Sequence, residues 1–418
     1  MHTKKYVFLG ITAITAIAML AGCSTNAGAT GAPDTLTVSA VSGEKPGLDP
    51  AIASFEKKTG ITVKVTYADN PQFQTTIRTQ LSAGTGPDVF TVWPGNGNTA
   101  ALEELAPGNF LTDLSDMDWN SKVPEQFTQV TEVNGKRLIL PMAIGAYGVL
   151  YNEAAVKDAG TTVPTTWSEV LSFCDAAKSA GKVAFALGAQ TVSAAQVIAM
   201  ELAATLVYQA DPNFQKDQDA GRTNFASSHW VEAFNKYLEM QKRGCFNKNP
   251  VGTSVDISNQ MVASGDALAQ AQHTARVPSV QTLAPKGAKF GFFALPATDN
   301  PDDTWMPAGA ADGFAINSKA KNPEAAQQFI EWLASDSVRS DYATKTGALP
   351  ALPVDGFQPT PAGAVLDQYF TDGRTATFMD QLWPNGKVTN ELKVGVQNVL
   401  TGQASVADTM KAMDSVYK

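Results

Sequence analysis

Histidine and cysteine are scarce in this chain, with three of each among 418 residues. His229 and His273 stand far apart, without metal-ligand spacing, and HExxH, GxSxG and Walker A patterns are all missing. No catalytic residue, no metal and no cofactor is therefore expected. Basic tracts are missing too, and the formal net charge is −9, which argues against nucleic acid as a partner. Beyond the N-terminus no second long apolar segment is legible, so no further membrane contact is expected.

What is present begins at the N-terminus. Lys4 and Lys5 form a short basic region, Tyr6 to Leu20 is uncharged and apolar, and Leu20-Ala21-Gly22-Cys23 places small residues before a cysteine. The run is shorter than the roughly 20 residues a bilayer requires and reads as a secretory signal over 1–22. The cysteine at the cut resembles the bacterial lipobox, which implies lipidation of Cys23. The following Ser24 to Pro33 has nothing to bury and reads as a flexible tether, 23–34. The expected address is extracytoplasmic, lipid-anchored to the outer face of the bacterial cytoplasmic membrane. Loss of the signal leaves 396 residues and a formal charge of −11, enough chain for two domains. Cys174 and Cys245 leave two readings open, a disulfide formed outside the cytoplasm or two small core residues.

The patterning is α/β throughout. Leu36 to Ala40 reads as a strand, followed by a Gly/Pro loop, Ser42 to Gly47. Leu48, Ala51, Ile52 and Phe55 then recur at helical spacing, and Gly60 ends that helix. Ile61, Val63, Val65 and Tyr67 alternate with polar residues as a strand with one buried face; Gln72 to Ala83 reads as a helix and Pro87 to Val92 as a strand. Such alternation predicts a parallel sheet. Thr166-Trp-Ser-Glu169 is a capping box, and Asn322-Pro323 an N-cap with proline in the first turn. Leu392, Val396, Val399 and Leu400 form the stripe of the last long helix, which Gly402 ends.

Ordered fragments along nearly the whole chain resemble the family 1 extracellular solute-binding proteins, the maltose-binding-protein-like group. They are Phe55-Glu-Lys-Lys-Thr-Gly-Ile61 with Val63 and Val65, Gly86-Pro-Asp88, Asn134-Gly-Lys136, Pro141, Leu150-Tyr-Asn152, Pro164-Thr-Thr-Trp167, Gly313-Phe-Ala-Ile316 and Asn322-Pro-Glu-Ala-Ala326. The resemblance implies a two-lobe, type II periplasmic-binding-protein-like clamp, each lobe a mainly parallel sheet flanked by helices. Lobe 1 would hold 35–143 with 297–345, and lobe 2 144–296 with 346–418. It further implies capture of a mono- or oligosaccharide between the lobes, delivery to the permease subunits of an ABC-type importer, and a likeness to monomers rather than assemblies.

A saccharide offers hydroxyls that need hydrogen-bond partners and C–H faces that stack on rings, so its site should combine aromatic side chains with carboxylates, amides or a cation. Glu44 and Lys45 follow the first strand, and Trp93 and Asn96 the third. Tyr147 sits just past the first crossing between lobes. His273, with Gln272 before it, occupies a region where the family often carries a stacking tryptophan. Trp305 and Asp312 flank the strand at the second crossing, and Trp383 precedes the last long helix. These nine are the expected ligand-binding residues. Trp119, Trp167, Trp230 and Trp332 read as packing. Gly95-x-Gly97-x-x-Ala100 resembles a dinucleotide fingerprint, but Pro94 and the secretory address favour a plain Gly-rich turn. Three other functions stay open on sequence: a secreted carbohydrate-active hydrolase, which needs only two carboxylates, a lipoprotein binding a polyol or osmolyte, and a structural surface lipoprotein or adhesin.

Overall fold

The protein is described over residues 35–418 by a computed structural model, so the signal segment, Cys23 and the tether lie outside the described residues. Three strands, β1 (Thr35–Val41), β2 (Thr62–Ala68) and β3 (Val89–Val92), form a parallel trio with β1 central. A short hairpin, β4 (Glu132–Val133) with β5 (Lys136–Arg137), precedes the longest strand, β6 (Leu140–Asn152). There follow β7 (Val183–Phe185), β8 (Ala267–His273), β9 (Phe290–Phe293), β10 (Met306–Ile316), β11 (Leu349–Pro350) and β12 (Thr375–Ala376). The main order is β2-β1-β3-β10-β6-β8-β7.

The type II α/β architecture is the one anticipated, but the sheet is mixed rather than mainly parallel. Parallel pairing holds for β2-β1-β3, β7-β8 and β10-β12. The two long strands β6 and β10 run antiparallel to each other, and β6 is also antiparallel to β8 and β9. The chain returns through the sheet along these strands instead of crossing over it with a helix, and that return sets the antiparallel sense. Leu140 to Ala146 of β6 pair with β10, whereas Tyr147 to Asn152 pair with β8 and β9. One strand therefore serves two sets of partners, changing over between Ala146 and Tyr147.

Local chemistry explains the elements. The first helix spans Lys45–Thr59, with Leu48, Ala51, Ile52 and Phe55 buried and Gly60 stopping it at φ 76°. It starts earlier than the Gly/Pro run indicates: Ser42–Glu44 is one 3-10 turn, and Pro46 lies in the helix's first turn, where its missing N–H costs nothing. The capping box at Thr166 and Glu169 opens the helix Trp167–Ser179, and Asn322 caps Pro323–Leu333. Asp88 explains the Gly-Pro-Asp fragment. Its carboxylate accepts from the Thr37 amide (2.9 Å) and hydroxyl (2.6 Å), and from the Lys321 amide (2.6 Å), tying β1 to the turn before that second capped helix.

Cys174 and Cys245 are joined in a disulfide, which resolves the two open readings. The helical stretch Val192–Gln209 is long and apolar enough to pass for a membrane span, and was not singled out in the sequence. Most of it is buried inside the protein, so it is a core helix, ending in a π-helical segment Ala204–Gln209.

Candidate functional site

A cleft of about 740 Å³ opens at the centre of the sheet, within the usual range for small-molecule sites. One wall comes from the turns after β1, β2 and β3, the other from the end of β8 and the starts of the helices Val192–Ala195 and Val255–Ser264. The floor is the β6–β10 pair, closed at one end by the turn around Phe378 to Gln381.

The turn after β1 aims Glu44 into the cleft. Glu44 is 2% exposed; Oε2 accepts from Thr91 Oγ1 of β3 at 2.6 Å, and Oε1 is buried without a partner among the described residues. Burial first, and then the charge of Asp312, hold this carboxyl well above the ordinary carboxylate range. Asp312 reaches the cleft because β10 bulges: its register against β6 shifts on both sides of this residue. Burial pushes Asp312 up to about 6, and its Oδ1 is likewise buried and unpartnered.

Tyr147 and His273 are direct partners across β6 and β8, with ring centroids 5.5 Å apart. Phe378 closes the group, 5.0 Å from Tyr147 and 5.8 Å from His273. Gly145 makes room for it, since a Cβ there would lie 2.4 Å from the imidazole. His273 Nδ1 accepts from the Ala275 amide at 3.1 Å, so in the neutral ring the proton sits on Nε2. Burial, aided by Arg276, pushes this histidine down to about 4 and keeps it neutral near pH 7. Trp93, bridged to Ala101 at the end of β3, also lines the cleft, and Phe73 supports its ring edge-on at 5.8 Å.

Five of the nine expected residues thus line one cleft: Glu44, Trp93, Tyr147, His273 and Asp312. The other four lie elsewhere. Lys45 turns outward, pairing with Asp49 at 2.6 Å and lying 4.7 Å from the Tyr67 ring. Asn96 is buried and spends its amide on the Pro384 carbonyl at 2.5 Å. Trp305 packs at the edge of the larger core while its amide bonds Thr205 Oγ1 at 3.0 Å. Trp383 corrects the expectation of an aromatic platform before the last helix. It is 1% exposed and packed between Phe225 and Trp230, at 5.6 and 6.0 Å. Trp119, Trp167 and Trp230 are buried as packing residues, and Trp332 donates to the Ala51 carbonyl at 2.9 Å.

Sequence reasoning missed Gln270, Phe378, Asp380 and Gln381, which all line the cleft. Gln270 and Gln272 alternate in the otherwise apolar β8, a period-two polar signal that could have been read. Gln270 donates to Ser258 Oγ at 2.8 Å; Gln272 is 3% exposed, and its side-chain amide has no partner among the described residues. Gln381 donates to the Ala310 carbonyl at 2.8 Å, leaving Oε1 unpartnered. Burial pushes Asp380 up to about 6, with Lys393 opposing. The Gly95–Gly97 turn seats this segment, because the Asn96 backbone N–H donates to the Gln381 carbonyl at 3.1 Å.

A cleft that pairs aromatic rings with buried, unpartnered carboxyl and amide atoms can hold a polar solute by stacking and hydrogen bonding together. Residues 40–339 match the family described as bacterial extracellular solute-binding protein. The chain belongs to that family. Similar curated proteins include the multiple sugar-binding protein of Streptococcus mutans serotype c, 23% identical over 359 residues and 82% of each chain. The galactooligosaccharide-binding protein of Bacillus subtilis (strain 168) is 23% identical over 378 residues, 88% of this chain and 84% of that one. Among solved structures, a chitin oligosaccharide binding protein superposes with a TM-score of 0.78 at 18% identity, over 91% of this chain and 98% of that one. The solute-binding protein RafE in complex with raffinose gives 0.76 at 20% identity, over 91% and 98%. At such identities the structural matches establish the fold. Membership of this extracellular family gives an extracytoplasmic setting, and its curated relatives are binding proteins.

Proposed function

We propose that the chain is the extracytoplasmic substrate-binding component of an ABC-type sugar importer, capturing a mono- or oligosaccharide and delivering it to the permease. The observation that carries this reading is the cleft's composition. Trp93, Tyr147, His273 and Phe378 offer ring faces, while Glu44, Asp312, Gln272 and Gln381 offer buried polar atoms that have no partner among the described residues. A saccharide needs that mixture, and the similar proteins are named for sugars.

In this reading, lobe 1 is 35–143 with 297–345, lobe 2 is 144–296 with 346–418, and Cys23 carries the anchor. The changeover of β6 partners between Ala146 and Tyr147 supports a first crossing there. Closure would be favoured only by contacts the solute makes better in the closed form. The chain acts as a carrier and not as an enzyme.

Calorimetry with a panel of mono- and oligosaccharides, polyols and osmolytes tests the proposal, with reducing ends followed in the same mixtures. Saturable binding of an intact saccharide is expected. Binding confined to polyols or osmolytes, or steady release of reducing ends, overturns it.

A further inference from the structure

Glu44 and Asp312 come from distant parts of the chain and are brought into the same cleft by sheet register. Thr91, which holds Glu44 Oε2 at 2.6 Å, pairs with Phe314 on β10, and Asp312 lies two residues before Phe314 on that strand. Glu44 Oε1 and Asp312 Oδ1 are both buried without a donor among the described residues. Among the described residues neither forms an ion pair, and Lys45, next in sequence to Glu44, is spent on Asp49. The other titratable groups facing the pair are the phenols of Tyr342, from the helix Asp336–Thr346, and Tyr67, from β2. Tyr67 already donates to Asp49 at 2.5 Å. Lys345 reaches the cleft from the Tyr342 helix but pairs with Asp341 at 3.1 Å.

Two carboxyl groups buried in one cleft repel each other when both are ionised and lose hydration together, and the cheapest remedy is for the pair to keep one proton. We propose that Glu44 and Asp312 share one proton at neutral pH, so that the cleft presents a carboxylic acid beside a carboxylate. Burial raises both groups, and the charge of Asp312 raises Glu44 further. Such a pair donates one hydrogen bond and accepts others, which matches a hydroxyl group, itself donor and acceptor. It therefore reads a neutral polyhydroxylated solute as a pair of bare carboxylates would not. This last step rests on the sugar reading; the shared proton does not.

Infrared difference spectroscopy on the protein without added solute tests the proton itself. At pH 6 to 7, wild type minus Glu44→Gln should show the carbonyl stretch of a protonated carboxyl that the variant has lost, and wild type minus Asp312→Asn should show altered intensity in the same band. Glu201, a second buried carboxyl raised to about 8, is common to all three proteins and cancels. Melting temperatures give an independent readout. Because the pair is raised in the folded state, its stabilising share is present at low pH and lost as pH rises through its titration. Wild type should thus fall behind Glu44→Gln by several degrees between pH 5 and pH 9. A flat difference spectrum, or a melting difference that does not change with pH, overturns the shared proton whatever solute the cleft takes.

Discussion

Gly97 lies directly against Asp380: a Cβ on the glycine would stand 2.7 Å from the carboxylate Oδ2. Two residues earlier, a Cβ on Gly95 would stand 2.1 Å from the Gln381 backbone carbonyl, at a φ of 62°. Both glycines of the fingerprint-like turn therefore serve close approach to the segment that carries Asp380 and Gln381 into the cleft.

The two positions should respond differently to alanine. At Gly97 the obstacle is the end of a movable side chain, so Gly97→Ala should fold, displace Asp380 and weaken saccharide binding about tenfold, or about 1.4 kcal/mol. At Gly95 the obstacle is backbone and the left-handed conformation itself disfavours alanine, so Gly95→Ala should lose at least about 1–3 kcal/mol of stability. Urea melts and calorimetry on both variants check the contrast, and equal loss of stability at the two sites would contradict it.

The cleft aromatics and the core aromatics should likewise separate. Trp93→Ala should cost roughly 1–3 kcal/mol of affinity with a modest change in melting temperature, the scale of losing an apolar stacking face. Trp383→Ala removes a fully buried ring between Phe225 and Trp230 and should cost about 3–5 kcal/mol of stability. If Trp383→Phe, which keeps most of that packing, reduced affinity as much as Trp93→Ala, the placement of Trp383 in the core would be refuted.

Much of the fold was legible because its signals are local. The stripe of Leu48, Ala51, Ile52 and Phe55, the box at Thr166 and Glu169, and the cap at Asn322 each need only a few neighbouring residues to act. The site was legible only in part, because facing is decided by tertiary register. Sequence places Trp383 before a helix but does not say that Phe225, some 160 residues earlier, closes over it. Lys45 and Glu44 are adjacent, yet the 3-10 turn sends one to solvent and the other into the sheet. Asp380 and Gln381 lie in an aperiodic segment, where no pattern announces which side chains turn inward.

Glu201 gives a pH prediction away from the cleft pair. Its side chain is 1% exposed, Oε2 accepts from the Leu295 amide at 3.1 Å, and burial pushes the carboxyl up to about 8. A group raised in the folded state binds its proton more tightly there than in the unfolded chain. Stability is therefore greatest below the unfolded value near 4.3 and declines as pH rises toward 8, then levels off. Glu201→Gln keeps an acceptor for the Leu295 amide and removes the titration. Its chemical-denaturation stability should match wild type near pH 4 and exceed it by a few kcal/mol at pH 9. Parallel pH profiles for the two proteins would show that Glu201 does not titrate in this way.

The disulfide offers the last test, because its partners sit on different elements. Cys174 lies on the buried face of the helix Trp167–Ser179, and Cys245 follows the Gly244 that ends the helix Trp230–Arg243. The bond closes a loop with a sequence separation of 71 residues. Chain-entropy reasoning for a loop of that length gives about 4 kcal/mol, within the usual range for loss of a native disulfide. Both sulfurs are fully buried among apolar side chains, so the double substitution Cys174→Ala, Cys245→Ala also leaves a small cavity and should cost no less than the cross-link alone. Urea unfolding of the double variant should lose roughly 4–5 kcal/mol, and wild type treated with reductant in the denatured state should lose a similar amount. Saccharide affinity should stay within twofold, since neither cysteine lines the cleft. A double variant as stable as the oxidised protein would mean that the cross-link is dispensable and that the two cysteines act only as small core residues.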